Sequence, residues 1–307
     1  MYYLYGDKTS DELWGYIENV DLFWAVASWL LGYAAIVSRG LRWKSLLRPL
    51  NHEPKTLNSI AAVSFSYLAN SLVPRSGEVA RCAAMNQTDK IPVDHLLGTV
   101  ITERVVDFIM LFLFMAIALI GNTGEFMKVI EGTELPENAM IWVALGLIVV
   151  AAGIATLILL RKRILKIGLV QKKVVPFLSG LKEGLKSVLG MKQKGRFIAH
   201  TLFIWVCYYL MAYVVFLGSP MLEDTPALTV LVIMIAGGWG MIFPAPNGTG
   251  SYQYATMLAF GFLGLSAELG NSYAFAVWAI QGSMIISTGL IGFGWISFIK
   301  LRKGIAR

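Results

Sequence analysis

Six ionisable residues fall where charge is expensive. The apolar stretch Leu96–Ile120 carries Glu103, Arg104 and Asp107. The apolar stretch before it is broken by Pro74-Arg75-Ser76-Gly77 and carries Arg75, Glu78 and Arg81. An ionisable group inside a membrane costs at least about 2.5 kcal/mol, so it needs a partner or a function. On a helix, Glu103 and Asp107 share one face at a spacing of four; Arg104 and Asp107, and Glu78 and Arg81, are three apart. Three arginines therefore meet three carboxylates, and a neutral cluster that holds the hairpin against the long helix is the simplest arrangement. A second arrangement uses the same residues. Guanidinium is a planar fork suited to phosphate. The break also supplies free N–H groups at a helix start, with Ser76 as the N-cap. A phospholipid headgroup can then replace a carboxylate. Protonation of one carboxylate would leave the cluster positive and couple binding to pH.

A second break, Pro244-Ala-Pro246-Asn247-Gly248-Thr-Gly250, carries no charge. Irregular backbone is tolerated at membrane depth only when buried or lining a cavity. Asn247, Ser251, Tyr252 and Gln253 supply neutral hydrogen-bonding groups beside it; a plain tight turn is the competing reading. Other chemistry finds little support. His52, His95 and His200, and Cys82 and Cys207, lack metal-ligand spacing, and no phosphate loop or nucleophile elbow is present. No metal and no cofactor are expected. The basic residues are not interleaved with aromatics on a soluble module, so nucleic acid is not an expected partner.

The elements that must position these residues are membrane helices. Of 307 residues, 56% are hydrophobic and 15% charged, whereas soluble domains are about 25% charged. Mean hydropathy is +0.64. Five stretches are long enough to span: Asp21–Ser38, Leu96–Ile120, Met140–Leu160, Phe197–Leu217 and Ser272–Ile299. Two shorter apolar pairs, 57–85 and 228–265, are hairpins broken by Pro and Gly. The basic segments Arg39–Lys55, Arg161–Arg196 and Lys300–Arg307 hold 20 of the 26 Lys and Arg, which predicts a cytoplasmic side for them. The acidic segments Asp7–Asp21, Glu125–Glu137, Glu223-Asp224 and Glu268 face outward on this reading. The N-terminus is then outside and the C-terminus cytoplasmic. The first hairpin enters from the cytoplasm and returns there; the second starts and ends outside. Each is either two full crossings or one re-entrant hairpin; the short, broken first one favours re-entrance and the longer second leaves both open. Trp14, Trp43, Trp142 and Trp295 lie near span ends, as an aromatic belt would place them.

Long helix, broken hairpin, long helix thus occurs twice, over 21–120 and 197–299, in opposite orientation. Inverted repeats with interrupted segments point to a binding site near the midplane. The link 121–196 includes 164–191, where apolar residues recur at helical spacing among lysines. That pattern is a basic amphipathic helix on the anionic inner leaflet.

At these residues the sequence resembles a known family. Asn70, Pro74, Gly77-Glu78 and Arg81 resemble a signature of the lysylphosphatidylglycerol synthase transmembrane region, also called the flippase-like domain family. Glu103-Arg104 with Asp107 is similar to a second element, Pro244–Gly250 to a third, and Arg42-Trp43 to a fourth. Asn247 stands where the family more often has Gly. The resemblance covers nearly the whole chain and looks closest to stand-alone bacterial members. It implies an integral membrane protein that handles or translocates lipid. In fused relatives this region flips an aminoacylated phospholipid made by a soluble synthase domain. Here only residues 297–307 follow Ile296, so aminoacyl transfer is not expected.

The expectation is an all-α polytopic protein of the bacterial inner membrane, about five full spans plus two broken hairpins, forming one domain over 1–307. It binds an anionic phospholipid or lipid-linked substrate and is not an enzyme. Arg75, Arg81 and Arg104 contact phosphate, balanced by Glu78, Glu103 and Asp107. Asn70, Pro74, Gly77, Pro244, Pro246, Asn247, Gly248 and Gly250 shape the tips. Two alternatives remain: a membrane subunit that docks a synthase or glycosyltransferase, and a proton-coupled small-solute transporter using Glu103 and Asp107.

Overall fold

The computed structural model describes residues 10–124, 191 and 193–305. The expected span Met140–Leu160 and, apart from Met191, the amphipathic helix 164–191 lie outside the described residues. All described elements are helical: α1 (Ser10–Glu18), α2 (Leu22–Leu47), α3 (Thr56–Leu72), α4 (Gly77–Asp89), α5 (Val93–Gly121), α6 (Lys194–Leu217), α7 (Ala227–Gly240), α8 (Ser251–Phe262) and α9 (Ala267–Ile305). Four candidate spans are long and apolar enough to cross a membrane: Leu22–Leu50, Val93–Gly121, Lys194–Leu217 and Ala267–Arg302. This is a polytopic all-α membrane protein.

Local chemistry sets the boundaries. Asp21 caps α2 by accepting the Phe23 N–H at 2.8 Å. Pro92 and Pro226 precede α5 and α7, fixing the entering backbone. Pro74 ends α3: the residue before a proline is pushed out of the helical region, and Val73 sits at φ −132°, ψ 118°. Arg75 then takes a left-handed φ of 62° and completes the turn.

Chain ends define two faces. The end of α2 meets the start of α6, where Arg48 donates to Gln193. At the other end Asp21 N–H donates to the Gly218 carbonyl at 2.9 Å. The two helices are therefore antiparallel neighbours. Arg48, Lys55, Lys194 and Arg196 gather at the first end, Asp21, Glu223 and Asp224 at the second. The open end of the α3–α4 hairpin lies on the basic face, closed by Asp89, which accepts from Lys55 N–H and Asn58 Nδ2. His52 and His95 meet there at 2.9 Å. The α7–α8 hairpin opens on the acidic face, where Pro226, Thr229, Leu263 and Leu265 line one cavity.

At 1.5 Å per residue, α3 is about 25 Å long, and α7 and α8 about 20 Å each, short of a hydrocarbon core of about 30 Å. Both hairpins enter and leave by one face. The pairing is reciprocal: α3 packs antiparallel on α9, the last helix of the other unit, and α7 packs likewise on α5. The long helix pair α2–α6 lies between.

Tight approach of α3 to α9 depends on missing side chains. A Cβ on Gly292 would lie 2.6 Å from the Ala61 carbonyl oxygen, and one on Gly289 2.5 Å from Leu68 Cβ. Small residues at such contacts let membrane helices pack closely. Gly294, two residues further, has open space around it. Gly292→Ala should destabilise the protein by about 1–3 kcal/mol through overpacking. Gly294→Ala should leave stability equal or slightly raised. Thermal unfolding in detergent compares them.

Candidate functional site

Three helices carry the ionisable residues into one buried knot. Glu103 and Asp107, one turn apart on α5, face α2 and α4. Arg81 of α4 reaches Glu103 Oε2 at 2.6 Å. Arg42 of α2 lies between the carboxylates, 2.7 Å from Asp107 and 3.5 Å from Glu103. Arg39, one turn earlier, pairs with Asp107 at 2.9 Å. Side-chain exposure is 0% for Arg42, 1% for Glu103, 2% for Arg81 and 13% for Asp107.

The knot therefore differs from the neutral three-to-three cluster expected of Arg75, Arg81 and Arg104. Arg39 and Arg42 were expected in a cytoplasmic loop after Ser38. Instead α2 continues unbroken to Leu47 and delivers both, three residues apart, to the α5 face. Three guanidinium groups now meet two carboxylates. Aromatic faces accommodate the excess: Trp43 beneath Arg81 at 4.8 Å, Phe197 beneath Arg42 at 5.8 Å and Tyr67 beneath Arg39 at 5.9 Å. Trp43 was expected in an interfacial belt. It is fully buried and donates to Thr99 Oγ1 at 2.8 Å.

Arg104 and Glu78 form a separate pair at 2.8 Å, at 49% and 28% side-chain exposure. Arg75 joins neither group. It is exposed at the first tip, and its Nη2 donates to the Ile242 carbonyl at 3.0 Å, just past the end of α7. The two hairpins thus meet tip to tip from opposite faces. The turn Pro246–Gly248 packs on α3 as well.

Both tips use an amide to hold the start of their second arm. Asn70 Oδ1 accepts Gly77 N–H at 2.7 Å, and Gln253 Oε1 accepts Gly250 N–H at 2.7 Å. Ser76, expected as the cap of α4, makes no such bond; its hydroxyl donates to the carbonyls of Ala69 and Val73. The reason is backbone: Ser76 is already in the helical region at φ −77°, ψ −18°. Gly77 also cannot gain a side chain, since its Cβ would lie 2.3 Å from the Ser66 carbonyl oxygen. At the second tip Asn247 (φ 48°), Gly248 (φ 64°) and Gly250 (φ 85°) take left-handed backbone, while Pro244 and Pro246 are exposed. Among the described residues no group of three or more potential metal ligands occurs.

The family profile described as Lysylphosphatidylglycerol synthase TM region matches residues 3–289. The chain belongs to that family. Neither the curated proteins nor the solved structures give a match. Membership in the lysylphosphatidylglycerol synthase TM region family makes this a membrane protein of lipid-related function. The ionisable residues singled out from the sequence fall in two environments, the buried knot and the accessible tips.

These environments predict different stability effects. Glu103→Ala leaves the buried Arg81 guanidinium without its carboxylate, while Arg42 keeps Asp107, and should cost about 3–5 kcal/mol. Arg104→Ala removes half of an exposed pair and should cost less than about 1 kcal/mol. Equal losses in thermal unfolding would contradict the division.

Proposed function

We propose that this protein binds an anionic phospholipid or lipid-linked molecule and translocates it across a bacterial cytoplasmic membrane, along the seam where the hairpin tips meet. One observation carries the reading: Arg75, Glu78 and Arg104 stay accessible at the depth of the re-entrant tips, flanked by exposed Leu72, Val73, Val79, Phe108 and Phe243. Charge at that depth is tolerated along a polar path or against charged ligands, not against acyl chains. Arg75 and Arg104 supply the phosphate contacts, and Glu78 holds Arg104 until a headgroup competes. Arg81, Glu103 and Asp107 act from behind, fixing α4 against α5. Asn70, Pro74 and Gly77, with Pro244, Pro246, Asn247, Gly248 and Gly250, give the tips their shape. No bond need be made or broken, so this is transport, not catalysis. The basic face is the cytoplasmic one, which puts the C-terminus inside and the N-terminus outside.

Burial of the knot also favours a second reading, in which the helices are a rigid membrane subunit for a lipid- or glycan-modifying enzyme.

Reconstitution separates them. Vesicles containing the wild type should equilibrate headgroup-labelled phosphatidylglycerol between leaflets. Arg104→Gln should slow this about tenfold, the effect of losing one charge-assisted hydrogen bond, with unchanged thermal unfolding. A wild type that moves no anionic lipid, yet retains a synthase on purification, supports the subunit reading instead.

A further inference from the structure

Arg75 combines three features at the tip of the first hairpin. Its backbone is left-handed at φ 62°, a region that costs a non-glycine residue about 1 kcal/mol or more. Its guanidinium leaves its own hairpin and caps the other, donating through Nη2 to the Ile242 carbonyl at 3.0 Å. It is exposed, beside Val73 and Phe243, which are also exposed. A cation at the carboxyl end of α7 is favoured by the helix dipole and satisfies a carbonyl beyond the last helical turn. Yet that contact uses one of five N–H donors on a full charge. A single carbonyl is a weak partner for guanidinium beside a phosphate, which brings a full counter-charge and accepts bidentately.

We propose that Arg75 is a latch between the two hairpins and that an anionic phosphate group opens it. With Ile242 as partner, the tips are joined and the seam is closed. A phosphomonoester, or a phosphodiester whose headgroup has no cation of its own, takes the guanidinium off the carbonyl on reaching Arg75 and frees the α7–α8 tip from the α3–α4 tip. Ligand arrival and opening are then one event, because both draw on the same side chain. A zwitterionic headgroup, whose own ammonium offsets its phosphate, competes weakly and leaves the latch shut. The buried knot is not part of this exchange: Arg81 and Glu103 remain paired while the tips part. The latch rests on the reading above only for the path it closes.

Hydrogen exchange of the full chain in lipid vesicles tests it, because exchange reads the tips whether or not lipid crosses. In purely zwitterionic vesicles, backbone amides over 72–77 and 240–250 should be protected in the wild type. Added phosphatidylglycerol should speed their exchange about tenfold, the effect of losing one hydrogen bond to a charged group. Acceleration by inorganic phosphate in zwitterionic vesicles would assign the phosphate to the aqueous phase rather than to a lipid. Arg75→Gln should exchange fast in every composition, with amides over 99–107 protected as in the wild type. Arg75→Lys, which keeps the charge, should remain sensitive to anionic lipid, and it serves as the comparison if Arg75→Gln does not fold. Exchange that is indifferent to composition in the wild type, or Arg75→Gln retaining the wild-type response, overturns the latch. Failure of lipid movement with an intact exchange response removes the transport reading and leaves the latch standing.

Discussion

Glu103 is the constraint around which the first half is arranged. A carboxylate removed from water cannot remain charged at tolerable cost unless cations surround it. Arg81 and Arg42 do so from two different helices, and Asp107 one turn on recruits Arg39 as well. Each contact fixes a helix. Arg81 ties the re-entrant arm α4 to α5, and Arg42 ties α2 to α5. α2 in turn runs antiparallel to α6, so the same knot sets where the second half begins. Hydrophobic burial cannot do this in a bilayer, because acyl chains solvate an apolar helix as well as another helix does. Directional charge pairs and close glycine contacts carry the specificity instead.

Closure of the knot leaves its neighbours distinct in character. Arg104 is adjacent to Glu103 in sequence but about 100° away around α5, so it faces outward and finds Glu78. Arg75 precedes α4, in the turn that follows the helix break at Pro74. These residues are close in sequence to those of the knot but lie outside its interior. One set is closed into ion pairs and the other is accessible.

Much of this was legible in the sequence. The all-helical membrane class followed from hydropathy, and the two breaks from Pro and Gly. The segregation of acidic and basic ends agrees with the way helix ends meet in space. The ionic partners were less legible. Arg39 and Arg42 sit where polarity rises after an apolar run, and a lysine follows, so they read as a loop. The missed signal is their spacing of three, which complements Glu103 and Asp107 at a spacing of four, together with Leu46 and Leu47 prolonging the apolar pattern. Ser76 was misassigned because capping depends on backbone conformation, and Asn70, seven residues upstream of Gly77, reaches the site only once the hairpin has folded. Contact between the tips depends on two turns more than 160 residues apart, and no local pattern encodes it.

A closed ionic knot and an accessible tip seam are separate parts of this protein. An experimental structure in nanodiscs rich in phosphatidylglycerol tests that separation directly. It should show headgroup phosphate within hydrogen-bonding distance of Arg75 or Arg104, with Arg81 and Glu103 still paired. A headgroup seated between Arg81 and Arg42, with Glu103 displaced and the tips unoccupied, would contradict it.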